Sequence, residues 1–136
     1  MRIMLDTNIL LSVSLFPNNR INDILDFIVR YHTLILSDLV IKEFLEVAAY
    51  DKFRKEKEAQ RFLEKISFTL YKTPKIVRLK NVSIRDENDY DILYSAIKSK
   101  VDIFITRDKD FLECGVSCPQ MMTLNMFEDS YMRTSE

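Results

Sequence analysis

The 136-residue chain has no tryptophan, one glycine, three prolines, one histidine and two cysteines. So little Gly and Pro argues against long flexible linkers. Cys114 and Cys118 lie close together but His32 is far from both, a poor match to the paired four-ligand set of a structural zinc. Both cysteines therefore read as reduced thiols of a cytoplasmic protein, and His32 as the end of a helix. No segment approaches the length of a membrane span, and the first residues lack the basic-then-apolar order of a signal peptide. A formal net charge of −1 gives no global basicity, so a nucleic-acid surface would have to be a local patch.

What is present is an ordinary globular balance, 47% apolar and 30% charged. The length suits one domain spanning 1–136 that buries a core without disulfides. The run Ile3, Met4, Leu5 reads as a strand covered on both faces. Asn18 or Asn19 is placed to cap a helix carrying Ile21, Ile24, Leu25 and Ile28. Leu34, Ile35 and Leu36 form a second buried strand. Ser37 or Asp38 then caps a helix presenting Val40, Ile41, Phe44, Leu45, Val47 and Ala48 to the core. Residues 52–61 alternate in charge sign, as on a solvated helix face, and lead into Phe62, Leu63, Ile66 and Leu70 at helical spacing. Pro74 is expected to close that helix, and residues 76–84 to be extended or irregular. A helix follows Asp86, then a strand over 101–105, a short helix near Asp108, a strand over 121–124 and a terminal helix. Strands alternating with helices predict an α/β fold, a central parallel twisted sheet with helices on both faces.

Against that background several acids are out of place. Asp6 ends the first apolar run and Asp108 follows a later one, so both point to the carboxyl rim where open parallel sheets bind ligands. On a wheel of about 100° per residue, Asp89 lies amid Ile92, Leu93, Ala96 and Ile97, whereas Asp91 projects to the opposite, polar side. Glu43 borders the apolar face of its helix, and its stem packed beside the core with a solvated head is an equal reading. Asp6, Thr7 and Asn8 are all good helix caps, and Asp108 and Asp110 also suit a first turn, so capping is the alternative for each. If the acids converge, two charges about 4 Å apart repel by about 4 kcal/mol at an effective dielectric near 20. Protonation or a bound cation must then neutralise the cluster, and hard oxygen donors suit magnesium or manganese.

Four segments in order resemble the PIN-domain nucleases, in particular toxin-like proteins of VapC type. They are Leu5-Asp6-Thr7-Asn8, the helix carrying Glu43, Arg85-Asp86-Glu87-Asn88-Asp89, and Thr106-Arg107-Asp108-Lys109-Asp110 after an apolar strand. The match runs from Met1 to about Leu124. Two positions depart from the usual pattern. Glu87 stands where Pro is common, and Arg107 where Gly is common, so Arg107 either crowds the cleft or contacts a phosphate.

The resemblance implies a PIN-like domain and a metal-dependent endoribonuclease. Asp6, Glu43, Asp89 and Asp108 would be its catalytic acids, holding Mg²⁺ or Mn²⁺ with Asp110 as an outer ligand. It makes Asn8 and Thr106 supporting groups, and Arg85, Arg107 and Lys109 candidate contacts to RNA phosphates. It also implies an antitoxin partner and a homodimer, with no membrane involvement. The competing readings are an inactive binding module on the same fold and a small-molecule phosphohydrolase. The complete acid set argues against the first. The absence of a Gly-rich phosphate loop and of an Asp-x-Asp at Asp6 argues against the second.

Overall fold

A computed structural model describes residues 1–80 and 82–133. Five parallel strands form one sheet: β1 (Arg2–Leu5), β2 (Thr33–Ser37), β3 (Thr69–Tyr71), β4 (Ile103–Ile105) and β5 (Gln120–Met122). Their order across the sheet is β3-β2-β1-β4-β5. The chain winds outward from β1 to β3, then crosses to the other side of β1 to lay down β4. The carboxyl ends of β1 and β4 therefore flank the point where winding reverses, which opens a crevice there.

Successive strand residues point to opposite faces. Ile3, Met4 and Leu5 are all buried, as are Leu34 to Leu36 and Ile103 to Ile105, so both faces of the central strands are covered. The covering helices are α1 (Thr7–Leu15), α2 (Asn19–Tyr31), α3 (Asp38–Ala48), α4 (Glu56–Lys65) and α5 (Glu87–Lys98). Shorter pieces are α6 (Lys109–Leu112) and α7 (Leu124–Phe127), the latter running into a π-helical turn, Glu128–Met132. Asn18 caps α2 by accepting from the Ile21 N–H, and Ser37 caps α3 by accepting from the Val40 N–H. Among the described residues no helix is long and apolar enough to cross a membrane.

The structure corrects the sequence reading at two places. The helix expected to run to Pro74 ends at Lys65, because Ile66 turns extended, and Leu70 lies in edge strand β3 beside Leu36. Leu70 continues the helical spacing by coincidence, and its side chain is largely exposed. The second correction concerns α5. Tyr90, Tyr94 and Ser95 are buried together with Ile92, Leu93 and Ala96, so the helix has no single solvent face. The segment before it wraps its far side: the Tyr90 hydroxyl donates to the Val77 carbonyl and the Tyr94 hydroxyl to the Lys75 carbonyl. Asp91, expected on an open polar side, is consequently half-buried. Strand bounds also tighten: β4 begins at Ile103, and Leu124 starts α7 where the last strand was expected to end.

Candidate metal centre at the carboxyl ends of β1 and β4

Asp6 leaves β1 and becomes the N-cap of α1. Its backbone N–H donates to the Ile105 carbonyl at 2.9 Å, which fixes the two strand ends side by side. Its Oδ1 accepts from the Thr7 N–H at 2.6 Å, and its Oδ2 from the Thr106 hydroxyl at 2.8 Å. The same hydroxyl oxygen accepts from the Asp108 N–H at 3.0 Å, so Thr106, fully buried, joins the Asp6 carboxylate to the turn carrying Asp108. Asp108 caps α6, with Oδ1 accepting from the Asp110 N–H at 2.9 Å. On α5, Asp86 is the cap and accepts from the Asp89 N–H at 3.0 Å, which leaves the Asp89 side chain out of the capping.

These turns bring three carboxylates together. Asp89, Asp108 and Asp110 each offer an oxygen within 4.8 Å of the others. Asp6 is tied to this group through Thr106. Glu43 lines an adjoining cavity of about 220 Å³ with Asn88 and Asp91. Its charge is felt by both Asp6 and Asp89. Arg85 and Asp110 share another cleft, of about 370 Å³. Lys109 is exposed at the start of α6, and Asn8 is exposed in the first turn of α1. Arg107 does not cross the acids; its Nη2 donates to the Ser12 hydroxyl at 2.6 Å.

The electrostatics are those of a crowded, poorly compensated anionic site. Burial pushes the Asp6 carboxyl up to about 6; the Thr106 and Thr7 hydrogen bonds oppose this, and the Glu43 and Asp108 charges add to it. Asp89 rises to about 7, first through desolvation, then through the charges of Asp86, Asp108, Asp6 and Glu43. Among the described residues the ion pairs are Arg20 with Glu128, Arg30 with Asp26 and Arg133 with Asp129, so no cationic side chain forms an ion pair with the cluster. The Thr7 hydroxyl beside Asp6 is buried without a hydrogen-bond partner. Converging oxygen donors, charge with no partner and an unsatisfied hydroxyl fit a hard divalent cation with its water shell.

Sequence reasoning did not single out Ser12 or Asn88, and it set Asp91 aside. Each depends on how one helix packs against another element, for which spacing along its own helix carries no signal.

By structure, the chain resembles VapBC2 from Rickettsia felis bound to a DNA fragment from their promoter. The identity is 15%, the match covers 90% of this chain and 98% of that chain, and the TM-score is 0.69. It also resembles VapBC-1 from nontypeable Haemophilus influenzae, with 16% identity, 92% and 99% coverage and a TM-score of 0.63. At such identities the likeness is one of fold. A search by sequence against curated proteins returns no match. The family model for the PIN domain matches residues 2–110, a stretch that contains Asp6, Glu43, Asp89, Asp108 and Asp110. The chain belongs to the PIN domain family.

Proposed function

We propose that the protein is a metal-dependent endoribonuclease hydrolysing RNA phosphodiester bonds, the toxin component of a toxin–antitoxin pair. The observation that carries this reading is the convergence of Asp89, Asp108 and Asp110, with no basic partner among the described residues, in a chain of the PIN domain family. On this reading residues 1–136 act as one PIN-like nuclease domain, in the cytoplasm and as a homodimer. Both solved relatives named above are VapBC assemblies, which supports a protein partner for this chain as well.

Asp89, Asp108 and Asp110 would hold Mg²⁺ or Mn²⁺, with Asp6 and Glu43 completing the negative field around it. When bound, such an ion lowers the pKa of a coordinated water and offsets charge developing on the leaving oxygen. Thr106 positions the site from below, fixing the Asp6 carboxylate and the Asp108 backbone with one hydroxyl. Asn8, exposed beside Asp6, is a second supporting group. Without a cation the acids repel the phosphate backbone, so Arg85, Arg107 and Lys109 at the rim serve to draw the strand in.

Purified protein incubated with single-stranded and structured RNAs, in Mg²⁺, Mn²⁺ or chelator, tests the reading beside Asp6→Asn prepared identically. Cleavage that requires metal and disappears in the variant is expected. Metal-dependent cleavage retained at the wild-type rate in Asp6→Asn would remove Asp6 from the site. No cleavage of any RNA by wild type would favour a binding module on the same fold.

A further inference from the structure

We propose that Ser12 is a positioning residue. It holds the Arg107 guanidinium off the carboxylates and presents it as a fixed cation to a phosphate of the substrate strand; the phosphate half rests on the nuclease reading. Arg107 lies between Thr106 and Asp108, with Asp110 three residues on. A guanidinium carries five donors in a rigid fork suited to carboxylates, and such a neighbourhood invites it to fold over them. Among the described residues it forms no ion pair. Its Nη2 donates instead to the Ser12 Oγ at 2.6 Å and approaches the Asn8 carbonyl at 3.4 Å.

The sense of this contact is fixed by a second bond. The Ser12 hydroxyl gives its own proton to the Asn8 carbonyl one turn earlier, at 3.1 Å, so its lone pairs are left to accept from Arg107. A neutral acceptor anchors the guanidinium without cancelling its charge. The side chain remains exposed, and the nitrogens that Ser12 does not engage are open to an incoming anion. The anchor lies on α1, whose N-cap is Asp6, and Arg107 lies in the turn that supplies Asp108. The cation is thereby held at a set place relative to both acids. An arginine free to pair with Asp108 or Asp110 would instead compete with a metal for their oxygens.

Two readouts test this, one independent of catalysis. In calorimetric titration with Mn²⁺, Ser12→Ala is expected to weaken binding about fivefold, the scale of one rearranged hydrogen bond. Ser12→Thr, which keeps the hydroxyl, retains the wild-type affinity. The double variant Ser12→Ala/Arg107→Ala regains it, because the competing guanidinium is gone. Unchanged Mn²⁺ affinity in Ser12→Ala, or weakening that persists in the double variant, overturns the positioning role. With RNA, Ser12→Ala and Arg107→Ala are each expected to raise KM about fivefold with a smaller change in kcat. Unchanged KM in Arg107→Ala overturns the phosphate contact. Absence of RNA cleavage by wild type overturns that half together with the nuclease reading, while the Mn²⁺ arm decides the clamp on its own.

Discussion

Replacing Asp6 by Asn is expected to stabilise the metal-free protein above neutral pH while weakening its stabilisation by metal. The Asp6 carboxyl lies at about 6 in the folded chain against an ordinary 3.8, so the folded state holds its proton more tightly than the unfolded one. Well below pH 3.8 both states are protonated and the charge contributes nothing to the difference. As pH rises, the unfolded carboxyl ionises first and stability falls. Above the folded value the whole penalty is present, roughly 3 kcal/mol for this gap. Asparagine removes the charge but not the cap, since its carbonyl oxygen still accepts from the Thr7 N–H. Its amide nitrogen then donates to Thr106, whose hydroxyl must turn its proton elsewhere, at a cost of about 1 kcal/mol. The balance of about 2 kcal/mol corresponds to a Tm higher by about 5–10 °C near pH 8; near pH 4, where little charge penalty remains, the lost bond leaves the variant slightly less stable than wild type. Melting curves followed by circular dichroism across this range, in chelator and in Mn²⁺, read both effects. A metal-free Asp6→Asn that melts below wild type near pH 8 would refute the claim that this carboxylate is held at a loss.

Mn²⁺ affinity is expected to climb between about pH 5.5 and 8, because Asp6 at about 6 and Asp89 at about 7 must lose protons before the cluster accepts a cation. Calorimetry in buffers of different ionisation enthalpy detects the released proton, and a pH-independent affinity removes both acids from the site. Thr106→Val deletes the hydroxyl joining Asp6 to Asp108 and should cost about 1–3 kcal/mol in urea unfolding. Thr106→Ser should recover most of that, and a neutral Val variant would show that the bridge carries no stability. Asp86→Ala removes the α5 cap, worth about 1 kcal/mol, together with the first-ranked like charge raising Asp89. The Asp89 carboxyl resonance should then titrate at lower pH than in wild type; an unmoved midpoint would contradict that coupling.

The parallel strands that end in acids were legible in the sequence because their residues are apolar on both faces and the polar residue that follows marks the stop. Thr69–Tyr71 was not. A three-residue edge strand with exposed Thr69 and Leu70 has neither a buried run nor an alternation to announce it, and its place comes from pairing with β2. The phase of α5 was read well enough to single out Asp89, which is half-buried among the acids. It misled for Asp91 because the irregular segment before α5, anchored by the Tyr90 and Tyr94 hydroxyls, closes the side that a two-faced helix would leave to solvent. The path of Arg107 was equally hidden. Crowding the cleft and meeting a phosphate were both open from sequence, and the Ser12 contact that separates them joins residues 95 positions apart.

From sequence, capping and metal binding were alternatives for Asp6 and Asp108; in the structure both carboxylates cap helices, and on the proposed reading capping does not exclude a second role. Asp6 and Asp108 each spend Oδ1 on a backbone N–H at a helix start, where the exposed amides and the helix dipole favour negative charge. That bond fixes the side-chain rotamer, so the second oxygen is aimed without further support. In Asp6 the second oxygen is taken by Thr106, and Asp6 stands outside the closest trio. In Asp108 it remains available, and Asp108 stands inside it. Asp89 leaves capping to Asp86 and keeps both oxygens. Asp110, whose carboxylate accepts no hydrogen bond among the described residues, likewise keeps both, so ranking by unspent oxygens gives the order in which the acids should bind a cation: Asp89 and Asp110, then Asp108, then Asp6. The capping bonds hold that arrangement in place before any cation arrives.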